Sequence, residues 1–257
     1  MPQYRSIRTL PPRVTGRRLA RLGAAGVLAS AGVAAAVAVA GPASATPSSA
    51  ACTTVRVIAA RASTEAPGDG VIGSLVTLIQ NDVTASVSQE AVVYPATLTN
   101  YSSSVAQGDS AIKSQLATDV ANCPDEQFVL VGYSQGAQVV GDALGGGGGG
   151  NLGTPATPGV PSSTAVRILA VIQMGDPRRV PGFSFDVGND PGATGLFPRP
   201  SSETLAPFAA KIQSYCDAGD PFCARGANLS AHLDYTQKYN SAASTFVTQR
   251  LNAAGIH

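Results

Sequence analysis

The sequence predicts an α/β fold, a three-layer sandwich with a mainly parallel central sheet flanked by helices. Three observations predict it. Short β-branched runs alternate with stretches whose apolar residues recur at helical spacing. The runs are apolar at nearly every position, as in strands buried on both faces. The chain has 257 residues, 44% of them hydrophobic, which suffices for one sizeable core. With 13% charged residues, no Trp, 28 Gly and 18 Pro, the composition fits a loop-rich extracellular protein better than a coiled coil.

The elements follow in order. Val55 to Ala60 (VRVIAA) reads as the first strand. Val71 to Val83 carries Val71, Leu75, Leu78 and Ile79 at helical spacing. Ala91 to Tyr94 (AVVY), closed by Pro95, reads as a second strand. Ser104 to Val120 reads as a helix through Val105, Ile112, Leu116 and Val120. Gln127 to Val131 (QFVLV) is the clearest strand, and Gln135 to Leu144 resumes as a helix. Six consecutive glycines, Gly145 to Gly150, open a Pro/Thr/Gly/Ser-rich stretch, and 145–163 is expected to be a flexible surface loop. Val166 to Met174 (VRILAVIQM) reads as a long buried strand. Residues 176 to 230 read mostly as loop, and Leu233 to Leu251 as a closing amphipathic helix.

Residues 1–45 read as an export leader instead of fold. Arg5, Arg8, Arg13, Arg17, Arg18 and Arg21 form a basic start without an acid. An Ala/Val/Leu/Gly run from Leu22 to Ala40 follows, and Ala43-Ser44-Ala45 offers a small-x-small cleavage site. The Arg17-Arg18 pair hints at twin-arginine export. Cleavage leaves a single domain at 46–257, secreted or held at the cell envelope. The leader holds 6 of the 17 basic residues, so the mature chain has 11 basic against 16 acidic groups and is net −5. That balance argues against nucleic-acid binding, which wants a basic patch. No later segment is apolar for long enough to span a bilayer, and a monomer is expected.

Cys52, Cys123, Cys216 and Cys223 make an even number, which in an exported chain favours two disulfides. Metal binding is the rival, but there is no CxxC and the chain holds only two His, so no metal or organic cofactor is expected.

Gly132-Tyr133-Ser134-Gln135-Gly136 is a G-x-S-x-G between a strand and a helix. Such a turn lifts a serine into a strained, accessible position, and the flanking glycines make room for it. The helix behind Ser134 points its positive end at the site. A serine nucleophile needs a base. His257 is terminal, whereas His232 sits in a loop just before the last helix and gives the order Ser…Asp…His. For the acid, Asp176 directly follows a strand, and Asp217 and Asp220 lie in Cys216-Asp217-Ala218-Gly219-Asp220-Pro221-Phe222-Cys223. A Cys216–Cys223 disulfide would close a tight loop, worth ~2.5 kcal/mol in the chain-entropy model, and would hold Asp220 rigidly toward the imidazole. Asp220 is therefore preferred to Asp176. In that case Cys52 pairs with Cys123, and each of these two precedes a strand at the same sheet edge. The amide of Gln135 should be one oxyanion donor, and Ser63, in Arg61-Ala62-Ser63-Thr64-Glu65 after the first strand, is placed to supply the second.

RAST at 61–64, GYSQGAQV at 132–139, CDAGDPFC at 216–223 and His232 together resemble the cutinase family of α/β-hydrolases, which includes cutinase-like esterases, lipases and acetylxylan esterases. The resemblance covers most of the mature chain. Ala62 stands where a Gly is frequent. The resemblance implies Asp220 as the acid, the pairs Cys52–Cys123 and Cys216–Cys223, and an open site without a large lid in which Ser134 is partly exposed. It further implies a serine esterase whose partner is an ester substrate: a cutin-type polyester, a short- to medium-chain acyl ester or lipid, or an acylated polysaccharide. The alternatives are an acetylxylan esterase or a cell-envelope acyltransferase on the same residues, or a secreted binding protein on a silent fold. Leu196, Phe197, Phe183 and Phe185 are candidates for an apolar acyl-binding wall.

Overall fold

The structure is a computed structural model and describes residues 51–257. The leader read at 1–45 and its cleavage site lie outside the described residues.

Six strands pair in parallel: β1 (Val55–Ala60), β2 (Val87–Ala91), β3 (Gln127–Tyr133), β4 (Ile168–Met174), β5 (Asp186–Val187) and β6 (Ile212–Tyr215), in the spatial order β2-β1-β3-β4-β6-β5. The helices are α1 (Gly73–Asp82), α2 (Tyr101–Asn122), α3 (Gln135–Gly145), the single turn α4 (Ser162–Ala165), α5 (Leu229–Leu233) and α6 (Tyr235–Ala253).

Strand alternation divides the core into two layers. Val55, Val57, Ala59, Val129 and Val131 pack with Leu75 and Ile79 of α1 and with Val247 and Leu251 of α6. Ile58, Ala60, Phe128 and Leu130 face the other way, onto Ile112 and Leu116 of α2 and Val139 and Val140 of α3. β1 and β3 carry apolar residues at almost every position because both their faces are covered, and each such buried side chain contributes about 1.5–3 kcal/mol.

Five elements differ from the sequence expectation. The second strand is Val87–Ala91, upstream of AVVY. It is an edge strand of half-buried polar residues, which hydropathy does not flag. The apolar signal at 91–94 belongs to chain leaving the sheet: Val92 and Tyr94 are buried and Val93 is 84% exposed. The fourth strand begins at Ile168, because Val166 caps α4 and is exposed. Residues 176–230, read as loop, contain β5 and β6, which are two and four residues long. His232, read as a loop residue, lies on α5, whose N-cap Asn228 accepts from the Ser230 amide.

The Gly/Pro-rich stretch at 145–163 runs beside α2. Gly147 and Thr157 form an isolated antiparallel bridge, Thr157 Oγ1 donates to Asp109 Oδ2 at 2.9 Å, and Lys113 Nζ donates to the Pro158 carbonyl at 2.6 Å. His257 is pinned at the far sheet edge, its carbonyl accepting from Ala85 N and Thr84 Oγ1 at 2.6 Å each.

Cys52 and Cys123 are disulfide-bonded, as are Cys216 and Cys223, with Cα separations of 5.5 and 5.9 Å.

Candidate active site

The carboxyl ends of β1, β3 and β4 and the segment 216–233 surround a cleft of about 690 Å³. Ser134 and His232 both line it. Ser134 directly follows β3 and caps α3 with φ 55° and ψ −118°, a left-handed conformation that a non-glycine residue adopts only when its surroundings impose it. They do so here. Its amide donates to the Met174 carbonyl at 2.7 Å, and its carbonyl accepts from Gln138 N at 3.2 Å. A Cβ on Gly136 would stand 1.9 Å from the Ala60 carbonyl oxygen, so only glycine lets the start of α3 come this close to β1. Ser134 keeps 8% of its surface, less than the partly exposed serine expected from an open site.

His232 Nδ1 lies 2.8 Å from Asp220 Oδ2. Nε2 is the ring nitrogen left for other partners. Asp220 is fully buried, and its carboxylate has four donors: Phe222 N at 2.6 Å and Cys223 N at 3.1 Å on Oδ1, His232 and Tyr235 Oη (2.7 Å) on Oδ2. Burial pushes its pKa up, but the hydrogen bonds of His232, Tyr235 and Phe222 outweigh this and hold the carboxyl below the usual range. The Cys216–Cys223 bridge closes the turn that supplies both amides. Tyr133 Oη donates to the His232 carbonyl and ties α5 to β3.

Asp176 is not near the imidazole by any hydrogen bond. It accepts from Arg178 N at 2.8 Å and Gln173 Nε2 at 3.1 Å and pairs with Arg199 at 3.7 Å. It belongs to a buried ionic cluster with Asp142, Arg178 and Glu203. Burial raises its carboxyl, with Arg199 opposing. His257 does not line the cleft.

The loop after β1 is held from both sides of Ser63. Ala62 N donates to Glu65 Oε2 at 2.6 Å, and Thr64 N donates to the Ala96 carbonyl at 2.6 Å. Glu65 Oε1 also accepts from Val71 N at 2.8 Å, and Arg61 anchors the loop to the Tyr94 carbonyl at 2.6 Å. The Ser63 amide makes no hydrogen bond among the described residues. Gln135 opens α3, so its amide has no intrahelical acceptor. Its side chain is buried, donating to the Thr97 carbonyl and accepting from Ser104 Oγ at 2.9 Å.

Sequence reasoning missed Tyr133, Glu65 and Tyr235. Tyr133 lies inside the G-x-S-x-G segment and Tyr235 three residues past His232, but no sequence pattern marks their hydrogen bonds. Leu196 and Phe197 line the cleft, as read. Phe183 and Phe185 do not. They stack on one another, 5.0 Å apart, beside a separate cavity of about 450 Å³.

A parallel sheet carrying a strained serine between β3 and α3, with a carboxylate-bound histidine in the same cleft, defines the α/β-hydrolase class. A sequence model of the family described as Cutinase matches residues 51–251. Cutinase 11 of Verticillium dahliae is 40% identical over 213 residues, spanning 79% of this chain and 71% of the relative. Acetylxylan esterase 2 of Talaromyces purpureogenus is 40% identical over 208 residues, spanning 78% and 88%. A solved acetyl xylan esterase structure superposes with a TM-score of 0.72 at 39% identity, covering 78% of this chain and 99% of that one. The chain belongs to the cutinase family and is a carboxylic ester hydrolase.

Proposed function

We propose that the chain is an exported serine esterase acting on esters of apolar acyl chains, with Ser134 as nucleophile, His232 as base, Asp220 as acid, and the amides of Ser63 and Gln135 as oxyanion donors. The carrying observation is the apolar rim of the cleft that Ser134 and His232 share. Seven large hydrophobic residues are exposed among the described residues, and five of them (Val71, Leu98, Leu196, Leu229 and Leu233) line this one cleft. Exposed apolar side chains gathered around one site read as a binding surface. They suit a cutin-type polyester, a medium-chain ester or a lipid better than a hydrated polysaccharide.

The chemistry is acyl transfer to water. Ser134 Oγ attacks the ester carbonyl as His232 Nε2 takes its proton. The carbonyl oxygen becomes an oxyanion between the two amides. The intermediate collapses, the alcohol leaves with the proton from His232, and an acyl-enzyme remains. Water, deprotonated by the same imidazole, then releases the acid. Asp220 holds the tautomer with its proton on Nδ1 and stabilises the imidazolium. The leader at 1–45 and the two disulfides support export of a 46–257 domain, and among the described residues no helix is long and apolar enough to cross a membrane.

The test is hydrolysis of p-nitrophenyl esters from acetate to palmitate. Butyrate or octanoate is expected to exceed acetate about tenfold in kcat/KM, the scale of a methylene or two in an apolar site. The second reading rests on the acetylxylan esterase relatives: acetate preferred, with rapid deacetylation of acetylated xylan, would replace the first. Glu65→Gln is expected to lower kcat about tenfold with KM little changed, because one amide clamp on the oxyanion loop weakens while the donor itself stays. An unchanged kcat would remove Glu65 from the argument.

A further inference from the structure

The Tyr235 hydroxyl is fully buried at the junction of the cysteine loop and α6. It donates to Asp220 Oδ2 at 2.7 Å and accepts from Asp217 N at 2.8 Å, with Cys223 Sγ 3.2 Å away. A phenol has one proton, and the Asp217 amide can only donate, so the Tyr235 proton is committed to Asp220. Oδ2 is the same oxygen that meets His232 Nδ1. Tyr235 also packs edge-on to the imidazole, ring centroids 6.1 Å apart at 87°. Gly175 makes room for both rings: with φ +69°, its Cβ would stand 2.7 Å from His232 Cε1 and 3.2 Å from Tyr235 Cε2.

We infer that Tyr235 is a positioning residue for the acid–base pair: its hydroxyl shares Asp220 Oδ2 with the imidazole and limits how tightly the carboxylate holds the imidazolium. The inference rests on the proposed Ser134–His232–Asp220 triad. A carboxylate oxygen with two donors gives each less of its charge than it gives one donor alone. Tyr235 thus keeps His232 available as a free base at lower pH than a carboxylate facing the imidazole alone would. Burial and the Asp220 charge both push the phenol's own titration far up, so it stays a donor throughout.

The other charged groups around this junction are Asp217, Arg179, Asp234 and Glu65. Asp217 is held below the usual carboxylate range, with Lys238 and Tyr239 bonded to it. Arg179 after β4 faces Tyr235, and Asp234 at the head of α6, Glu65 and Asp220 face Tyr133.

The experiment compares kcat/KM against pH for wild type and Tyr235→Phe, and follows the histidine resonances of both by NMR in a Ser134→Ala background. Only two histidines are present, so assignment is direct. In Tyr235→Phe the acid limb and the His232 titration midpoint are expected to move up by about half a pH unit or more. Above that limb the rate should stay within a few-fold of wild type. A folded variant whose limb and midpoint do not move, or move down, overturns the inference. If the Phe variant does not fold, 3-fluorotyrosine placed at 235, a stronger donor of nearly the same size, should move both downward, and no shift would be equally fatal. The Ser134→Ala enzyme separates the two levels: turnover there within about a hundredfold of wild type refutes the triad itself, whereas an unmoved limb with Ser134→Ala below that level refutes only the role of Tyr235.

Discussion

Ser134→Ala is expected to lower kcat on every ester the wild type hydrolyses by about a millionfold, the scale seen when a triad serine is lost. The size follows from position. Gln135, whose amide is one proposed oxyanion donor, directly follows Ser134 at the strained turn, Ser63 lines the same cleft, and the neighbouring Tyr133 hydroxyl is bonded to the His232 carbonyl. The backbone of the turn is fixed by the Met174 carbonyl and by Gln138 N, neither of which involves Oγ. The variant should therefore keep its fold and melt near the wild-type temperature, since alanine keeps the Cβ and the same backbone contacts. Turnover within a hundredfold of wild type would exclude Ser134 as the nucleophile. A phosphonate ester should label the wild type stoichiometrically and leave the variant unlabelled, which separates loss of the nucleophile from loss of binding.

Asp220→Asn is expected to cost about 10⁴ in kcat. Asp220 is an acceptor at all four of its contacts, and an amide has an acceptor on one side only. If the Asn oxygen faces Phe222 N and Cys223 N, its NH₂ meets the imidazole and the Tyr235 hydroxyl, and Nδ1 can no longer carry its proton toward that side. His232 then presents Nε2 as a donor, the wrong state for a base. The other orientation sets the NH₂ against two buried backbone amides, which loses about 1–3 kcal/mol for each donor left unpaired. Stability against pH provides a second readout. The Asp220 carboxyl titrates lower in the folded protein than in the unfolded chain. Its contribution to stability is therefore fully present above pH ~4 and lost as pH falls through the folded value. The Asn variant should lose stability at neutral pH and show a shallower decline in acid. A variant with wild-type rates would transfer the acid's role away from Asp220. Reduction of the Cys216–Cys223 bridge frees the turn that supplies the Phe222 and Cys223 amides, and should mimic the Asn variant in part.

β1 and β3 were legible because burial on both faces leaves continuous apolar runs, and α3 because a glycine-flanked serine separates it from β3. β2, β5 and β6 were not. β2 is an edge strand with polar residues, and β5 and β6 are too short to carry a period. Their pairing comes from the sheet that precedes them, not from their own composition. At the site, Ser134 stood out through its turn and His232 because the chain offers only two histidines. Asp220 needed the cysteine spacing to be preferred over Asp176, and the structure gives Asp176 to Arg199 and Arg178. Glu65 and Tyr235 were invisible for a different reason. Glutamate and tyrosine are common, and what distinguishes these two is which buried atoms they meet after folding. The four-residue spacing of Leu229 and Leu233, with His232 beside the second, was present in the sequence, but its meaning depends on α5 lying along the rim of the cleft.

Leu229, His232 and Leu233 share one helix of five residues. Two of the side chains proposed to meet an acyl chain are thus bolted to the residue proposed to move the proton, on a segment too short to bend internally. A ligand leaning on this wall leans on the imidazole as well. Reshaping the wall at Leu229 or Leu233 therefore changes how fast a bound ester reacts along with which ester binds. Val71, Leu98 and Leu196 stand on separate chain segments, and there selectivity can drift during evolution or design while the proton path stays in tune.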